Sequence, residues 1–548
     1  MLDLKLSKPH RSPGNRNGQA PARFSPAKDG FSRALGAAVS DDRGVSAVMF
    51  AVTLALLAPL MLGVFDIYLA STQRTQLQDA LDAATLFAAR SPGKTSAAVD
   101  QVGEAALRAN LSLPGGATLV SSTFTLEGDS VVAQAEVKMP ALAAGLWPHE
   151  NLRANSEVVR SLDRLELALV LDNTGSMSGK KLSTLKTSAK DLVDKLQVAA
   201  ARSPQVDPLK IALVPFSMTV RVQGKTSVKK YKTSTHSGAG IPAWIDPQGS
   251  AHVAAGKDIF NTKSDRLGLL KAMGESWEGC VEARRQPYDV EETAPTASIP
   301  ATMYVPYFWP DEPDAADGFS GYPNDYIDDA TNSSSWSVRE KNAAKYKKSP
   351  RNGSFMSGYE YGPNAGCALQ PIVRLTTSSA SIKSAIDDMT AVGDTNIPLG
   401  MSWGWQMLSP SAPFSDGAPY GTPHLRKIII LMTDGDNTMG DPGSSWEQNK
   451  SYYSGLGYIW QGMLGVTSAS SGARSDKMDD RLAVLCDNIK ARDIVVYAVR
   501  VEVRSGESSL LENCASTPDK FYDVQDVSDL SAAFDSIAGS IDNLRLTR

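Results

Sequence analysis

The chain has 548 residues, of which 42% are hydrophobic and 21% charged, and this composition excludes an intrinsically disordered chain. At about 100–200 residues per domain, we expect more than one domain. The net charge of −5 gives no sign of the basic surface that nucleic-acid binding requires.

The N-terminal region combines a basic tail with a long apolar run. Residues 1–44 carry eight Lys or Arg and four Asp without apolar periodicity, so we expect a disordered tail. No charged residue occurs from Val45 to Phe65, and the run reaches Leu69 with Asp66 as its one interruption. Since about 20 apolar residues span a bilayer, residues 45–69 are predicted to form a transmembrane helix.

A cleaved signal peptide is the alternative interpretation of this run. The apolar region of a signal peptide is shorter, about 7–15 residues, and begins closer to the N-terminus. An uncleaved anchor is therefore favoured. The basic flank then stays in the cytoplasm, and the chain beyond residue 70 is exported.

The cysteines agree with export. All four follow the apolar run, no two form a CxxC motif, and no His pattern accompanies them, so a zinc site is not indicated. Four cysteines allow three pairings. We expect Cys280–Cys367 and Cys486–Cys514, which keep each bridge within one region, as disulfides of an oxidising compartment.

After the span, residues 70–160 predict a small juxtamembrane α+β segment. Apolar residues at helical spacing predict one helix before Pro92 and a second over residues 97–110. Alternating apolar and polar residues on both sides of Glu127-Gly128-Asp129 then predict a β-hairpin.

From residue 161 to 548 strands alternate with helices. Continuous apolar runs, as in Leu165–Leu171, are typical of strands that are buried on both faces of a parallel sheet. The alternation predicts a doubly wound, mostly parallel α/β sheet. Such strands are predicted at residues 165–171, 210–216, 427–434 and 493–499, and helices at 180–200, 481–492 and 529–544.

Two segments of this region, residues 221–370 and 436–475, interrupt the pattern and are predicted to be insertions or long loops. The acidic, aromatic stretch 303–330 within the first is interpreted as a solvated loop with locally packed aromatic rings. Trp277, Trp403 and Trp405 are interpreted as packing residues.

Oxygen-bearing side chains follow the predicted strands where ligands gather in open α/β sheets, at the carboxyl ends. Asp172, Thr174 and Ser176 lie on the loop after the first strand, Thr395 precedes a predicted helix, and Asp434 ends a third apolar strand. Carboxylates with hydroxyls favour a hard cation such as Mg²⁺. The alternative is that these residues are ordinary turn and N-cap residues.

Three of these stretches, "LVLDNTGSM", "GDTNIPLGM" and "IILMTDG", resemble in this order a von Willebrand factor A domain with its metal-ion-dependent adhesion site. In that family the first loop supplies an Asp and two hydroxyl side chains, the second loop supplies a Thr, and the third loop supplies an Asp. The resemblance implies a divalent ion, Mg²⁺ first with Mn²⁺ or Ca²⁺ as alternatives, whose open position takes an acidic group from a partner. Thr174 replaces the commoner Ser but keeps the hydroxyl. The implied metal ligands are Asp172, Thr174, Ser176, Thr395 and Asp434.

The tail, the span and this domain together resemble TadG-like proteins of tight-adherence (Flp-type) pilus-assembly systems, over residues 41–90 and most of 162–545. "WEGCVEAR", "CALQPIVRLT" and "VLCDNIKARDIVVYAV" fit the same group. The resemblance implies a single-pass inner-membrane protein of a diderm bacterium, with its N-terminus cytoplasmic and its bulk periplasmic or surface-exposed. The implied partner is a pilus or pilus-assembly component that offers an acidic side chain.

Two further function classes were considered. No Ser-His-Asp arrangement, HExxH motif or Walker loop occurs in the sequence, so enzymatic activity is not predicted. A purely structural anchor of the pilus machinery, with the same fold but no functional metal site, is the alternative to metal-dependent adhesion.

Overall fold

A computed structural model describes residues 42–546, except 92, 94, 114–115, 128–129, 141–150, 160–162, 204, 314–322, 330–334, 442–448 and 503–508. The tail predicted for residues 1–44 thus lies almost wholly outside the described residues. The chain divides into two compact units: one comprises Met1–Ala80, Leu111–Ser122 and Ala135–Ala154, the other Leu81–Asn110, Thr123–Gln134 and Asn155–Arg548.

One long helix, α1 (Asp42–Ala89), contains the apolar run. It is long and apolar enough to cross a membrane by length and composition, and most side chains between Ser46 and Tyr68 are exposed. The helix continues beyond Leu69 without a break. The predicted span and the helix predicted after it are therefore one element, which accommodates Pro59 in its interior.

A short helix and a small sheet follow α1. The helix is α2 (Ser96–Asn110), and the strands β1 (Thr118–Glu127), β2 (Ser130–Lys138) and β3 (Leu152–Val159) pair in the order β1-β2-β3. The predicted hairpin strands are present, and β3 is an addition that the sequence did not indicate. Its buried positions hold the small residues Ala154 and Ser156, which give little apolar signal.

The remainder of the chain is built on strands and helices that alternate along the sequence. The strands are β4 (Arg164–Asp172), β5 (Leu209–Phe216), β6 (Val220–Arg221), β7 (Cys280–Val281), β8 (Ser354–Met356), β9 (Tyr359–Glu360), β10 (Val373–Thr376), β11 (Leu425–Thr433), β12 (Val495–Val501) and β13 (Phe521–Val524). The α-helices are α3 (Lys180–Ala200), α4 (Ser250–Ala254), α5 (Arg266–Met273), α6 (Trp336–Glu340), α7 (Ser379–Asp387), α8 (Ile397–Leu408), α9 (Ser471–Lys490), α10 (Ser509–Cys514) and α11 (Leu530–Leu546).

Six of these strands form one sheet in the order β10-β5-β4-β11-β12-β13. Only β10 runs antiparallel to its neighbour β5; the other neighbouring pairs are parallel. Alternate side chains of β4 enter different cores. Leu167 and Leu169 pack with residues of α3 and α11, whereas Ala168 and Val170 pack with residues of α8 and α9. Both faces of β4 are therefore covered, which explains its continuous apolar run, and the α/β class is confirmed.

Helix α8 lies unusually close to the sheet because two glycines face it. A Cβ atom at Gly400 would come within 2.5 Å of the Phe216 ring, and one at Gly404 within 2.4 Å of Val170. Real Cβ atoms do not approach other atoms so closely. The two glycines, four residues apart on one helix face, thus allow α8 to contact the strands directly.

In their described residues, the two segments predicted to be insertions contain short elements and, at the end of the second, the start of α9, and much of the first segment is buried. In the described part of the acidic stretch 303–330, five aromatic side chains are buried, so the expectation of a solvated loop is wrong there. Its acidic groups have internal partners: Lys345 Nζ donates to Asp311 Oδ2 at 2.7 Å and to Asp329 Oδ2 at 2.9 Å. The buried aromatic residues are Tyr304, Tyr307, Phe308, Trp309 and Tyr326. The buried tryptophans also include Trp277, Trp403 and Trp405, as expected of packing residues.

Two disulfides join the same cysteine pairs that were expected. Cys280 of β7 is bonded to Cys367, with 6.0 Å between their Cα atoms. Cys486 of α9 is bonded to Cys514 of α10, with 5.1 Å between their Cα atoms. The first bridge lies within the large insertion, since both of its cysteines fall in residues 221–370, and the second ties two consecutive helices together.

Candidate metal site at the carboxyl ends of β4 and β11

The carboxylate of Asp172 is fixed from two sides at the end of β4. The backbone N–H of Thr174 donates to Oδ1 at 2.8 Å, and the Thr433 hydroxyl, at the end of the neighbouring strand β11, donates to Oδ2 at 2.6 Å. Asp172 is fully buried. Its orientation is therefore set by the loop after its own strand and by the adjacent parallel strand.

A chain of hydroxyls connects the first loop to the third. The Thr174 and Ser176 hydroxyl oxygens lie 2.9 Å apart, and Ser176 Oγ donates to Asp434 Oδ1 at 2.7 Å. Thr174 and Asp434 are buried, whereas Ser176 is exposed. Four of the five residues proposed from the sequence thus lie in one hydrogen-bonded cluster: Asp172, Thr174, Ser176 and Asp434.

The loop of Thr395 is held between the other two loops. On one side, the Gly175 N–H donates to the Gly393 carbonyl at 2.9 Å. On the other side, Thr395 N–H donates to the Thr438 hydroxyl at 2.8 Å, and Thr438 N–H donates back to the Thr395 carbonyl at 2.8 Å. The described hydrogen bonds therefore place Thr395 beside the cluster through its backbone, and its side chain is buried.

Side chains of the second and third loops also fix the start of α8. Asn396 caps the helix, since its Oδ1 accepts from Leu399 N at 3.1 Å. Asn437 Oδ1 accepts from Ile397 N at 2.9 Å, and Asn437 Nδ2 donates to Asp479 Oδ1 of α9 at 2.7 Å. Asn437 is thus a positioning residue for the loops rather than a ligand.

The electrostatics of the cluster are dominated by two buried neighbouring carboxylates, those of Asp172 and Asp434. Burial is the main cause that raises the pKa of Asp172 to about 6, and the nearby Asp434 carboxylate raises it further. Hydrogen bonds from Thr174 and Thr433 act in the opposite direction. In the absence of a cation, ionisation of Asp172 is therefore less favourable than that of an ordinary aspartate.

Lys181 is a member of this site that sequence reasoning missed. Its Nζ atom lies 2.7 Å from Asp434 Oδ2 and 3.6 Å from Glu502 Oε2. The adjacent Lys180 is exposed, and nothing in the sequence distinguishes the two lysines. Consecutive residues of a helix point in different directions, so α3 directs Lys181 towards the cluster and Lys180 away from it.

The donor set fits a hard divalent cation. Two carboxylates and two hydroxyls supply oxygen ligands, and Mg²⁺ in proteins takes one or two carboxylates with several waters. Among the described residues, no three His, Cys, Asp or Glu side chains come together as a metal-holding group. An ion at this position would therefore be held by the carboxylates together with hydroxyls and water.

The N-terminal helix relates the chain to a known family. Residues 44–85, which lie entirely within α1, match the family model described as TadE-like protein. The N-terminal helix is therefore similar to TadE-like proteins. The resemblance to tight-adherence pilus proteins is thereby confirmed at this end of the chain. A comparison with curated proteins found no similar sequence.

Several solved structures show weak similarity to this chain. The pilus adhesin SpaC from Lactobacillus rhamnosus GG is 11% identical with a TM-score of 0.29, and the match covers 78% of this chain but 34% of SpaC. The vWF domain of the type V pili tip protein Mfa5 from Porphyromonas gingivalis is 11% identical with a TM-score of 0.31, covering 71% and 97% of the two chains.

Proximal thread matrix protein 1 from the mussel byssus, with a zinc-occupied MIDAS motif, is 13% identical with a TM-score of 0.26 and covers 70% of this chain and 46% of that one. None of these similarities is strong enough to transfer a function. The proposal below therefore rests on the TadE-like helix and on the residues of the site.

Proposed function

We propose that this chain is a membrane-anchored protein of a tight-adherence pilus system, and that its exported von Willebrand factor A domain, residues 161–548, binds a partner through a divalent cation. In this proposal α1 anchors the chain in the inner membrane with residues 1–44 in the cytoplasm, and residues 70–160 form the juxtamembrane segment. The TadE-like match supports the pilus assignment. The two disulfides support exposure to an oxidising compartment.

The strand order supports a doubly wound fold with its ligand site at the expected place. Counted along the chain, the six strands follow the order 3-2-1-4-5-6 in the sheet. In such sheets, ligands bind beyond the carboxyl ends of strands 1 and 4, where the order reverses. Those strands are β4 and β11, and the cluster of Asp172 and Asp434 lies at their ends.

The hydrogen bond from Ser176 to Asp434 is the observation that carries the metal proposal. It brings the hydroxyl loop of β4 onto the carboxylate that follows β11, beside a second buried carboxylate. Two such carboxylates repel each other unless a cation lies between them. Asp172, Thr174, Ser176 and Asp434 would hold the ion, and Thr395 would complete its coordination.

The bound ion would supply a position for an acidic side chain of the partner. Exposed Ser176 marks the side of the cluster from which such a group can approach. Mg²⁺ fits this donor set, as does Mn²⁺, and Ca²⁺ is the larger alternative. A pilus or pilus-assembly component is the proposed partner, and no catalytic step is part of the proposal.

One observation favours the second candidate function, a structural anchor without a functional ion. The Lys181 ammonium already lies 2.7 Å from Asp434 Oδ2 and neutralises one of the two carboxylates. Because this ammonium group already offsets part of the negative charge, the cluster can be stable without a metal ion.

Isothermal titration of Mn²⁺ and Mg²⁺ into the full-length chain in detergent distinguishes the two functions. We expect saturable binding to the wild type, loss of binding in Asp172→Asn, and retention in Asp436→Asn, which changes an exposed carboxylate of the third loop. Absence of binding in the wild type would favour the structural anchor. Equal binding in Asp172→Asn would place the ion elsewhere.

A further inference from the structure

A cavity of about 20 Å³ lies beside the first turn of α8, and the function proposed above does not use it. This volume suffices for one water molecule or one monatomic ion. Part of its wall is apolar, formed by Leu399, Leu456, Leu464 and Met478. The rest is polar and includes Arg284, Asp289, Tyr304, Asn396 and Arg481.

Three lining residues have buried polar atoms without a hydrogen-bond partner among the described residues. The atoms are Arg284 Nε, the Tyr304 hydroxyl and Asn396 Nδ2. All three side chains are at most 3% exposed. The Arg and Asn atoms can only donate hydrogen bonds, and the phenol can donate one. Because unpaired buried donors are costly, three in one cavity indicate a missing acceptor.

The charges around the cavity are also unbalanced. Arg481 is paired with Asp289 through two hydrogen bonds of 2.6 and 2.7 Å. Arg284 donates instead to the backbone carbonyls of Thr293, at 2.5 Å, and Glu291, and no described carboxylate forms an ion pair with it. Two guanidinium groups thus face one carboxylate. Buried next to an apolar wall, the Arg284 charge is offset only in part by the Tyr304 ring, 5.2 Å from its guanidinium carbon, and by the nearby Asp289, so a further negative charge would be stabilising.

We infer that this cavity binds a small monovalent anion, with chloride as the commonest candidate. A water molecule would satisfy the donors but would add no negative charge beside Arg284. Phosphate, sulfate and carboxylate groups exceed the volume of the cavity. A halide meets both requirements, because it is monatomic, negatively charged and accepts several hydrogen bonds at once.

Thermal unfolding of the full-length chain in detergent tests this site. Trp244 and Trp403 pack on Tyr304, with ring centroids 5.5 and 4.6 Å away, so tryptophan fluorescence reports on this region. At matched sodium concentration, we expect the unfolding midpoint to be higher in chloride than in gluconate by about 2 °C or more, because chloride binds only the folded chain.

Three variants assign the chloride effect to the cavity. Arg284→Met is expected to abolish the difference between the salts, and Tyr304→Phe, which keeps the ring, to reduce it by about half. Arg351→Met removes an exposed guanidinium and is expected to keep the difference. If Arg284→Met does not fold, the comparison of Tyr304→Phe with wild type remains decisive.

Crystals grown in bromide give a second measurement. An anomalous peak between Arg284, Tyr304 and Asn396 would support the anion site. Equal midpoints of the wild type in chloride and gluconate, or a chloride effect unchanged in Arg284→Met and Tyr304→Phe, would overturn the inference and leave a water-filled cavity.

Discussion

Ser176 Oγ donates a 2.7 Å hydrogen bond to Asp434 Oδ1, although 258 residues separate them in the chain. This contact joins the loop after the first strand of the sheet to the loop after the fourth. The cluster around it leads to two predictions about ion binding and one about stability, and the packing of α8 and the disulfide between α9 and α10 each lead to one more about stability.

Proton competition is expected to weaken divalent-ion binding at acidic pH. The pKa of Asp172 is raised to about 6, and a protonated carboxyl is a poor ligand. Below that pH, the dissociation constant for Mn²⁺ should increase by up to about tenfold per pH unit. Calorimetric titration of the wild type at several pH values measures this slope, and a pH-independent constant between about pH 5 and 7 would contradict the ligand role of Asp172.

The same carboxyl makes the metal-free protein less stable as the pH rises. The folded chain binds this proton more tightly than the unfolded chain, in which the pKa is near 3.8. The free energy of unfolding therefore falls between about pH 4 and 6, and the loss persists above this window. In chelator at neutral pH, Asp172→Asn should be more stable than wild type by about 1–3 kcal/mol in urea denaturation. A less stable Asp172→Asn would show that its hydrogen bonds outweigh its desolvation.

Lys181→Met is expected to strengthen Mn²⁺ binding, because it removes an ammonium group 2.7 Å from Asp434 Oδ2. An increase in affinity of about tenfold corresponds to 1.4 kcal/mol. Lys180→Met is the matched control, since Lys180 is the exposed neighbour in the same helical turn. Weaker binding in Lys181→Met would mean that the lysine supports the cluster rather than competes with the ion.

Much of the sheet could be predicted from the sequence because its strands and helices are determined by residues that are close together in the chain. The apolar run of β4 and the helical face of α3 are set by neighbouring residues. The apolar residues at helical spacing in α3 are all buried: Leu182, Leu185, Ala189, Leu192, Val193 and Leu196. Burial of the acidic aromatic stretch could not be predicted in this way. It depends on Lys345, which pairs with Asp311 and Asp329 although it lies 34 and 16 residues further along the chain, outside the stretch itself.

The same distinction applies to the site. Asp172, Thr174 and Ser176 lie on one loop, so their spacing in the sequence was enough to predict that they come together. Thr433 and Lys181 contact the two carboxylates only after the strands have paired and α3 has packed, and no motif marks them.

Gly404→Ala is expected to destabilise the fold by about 1–3 kcal/mol, because the new methyl group would lie 2.4 Å from Val170 in a packed core. Gly539→Ala in α11 is the control. No atom lies within 4 Å of a Cβ at that position, and removing a helical glycine there should stabilise by about 0.5–1 kcal/mol. Urea denaturation measures both, and similar effects of the two substitutions would contradict the close approach of α8.

Replacement of both Cys486 and Cys514 by Ser is expected to lower the free energy of unfolding by about 2–4 kcal/mol, since the bridge closes a segment with a sequence separation of 28. The comparison is denaturation of the double variant against wild type without reductant. A wild type that loses no stability on full reduction would show that the bridge adds nothing to folding.

The placement of the cluster on strands far apart in the chain also sets the order in which the site can appear. Because a chain is synthesised from its N-terminus, Asp172 is made long before Asp434, and the large insertion with its disulfide lies between them. The hydroxyl loop therefore lacks its second carboxylate until β11 has been made and has paired with β4. The hydrogen-bonded cluster of the two carboxylates is therefore complete only after more than two thirds of the chain has been made and β11 has paired with β4.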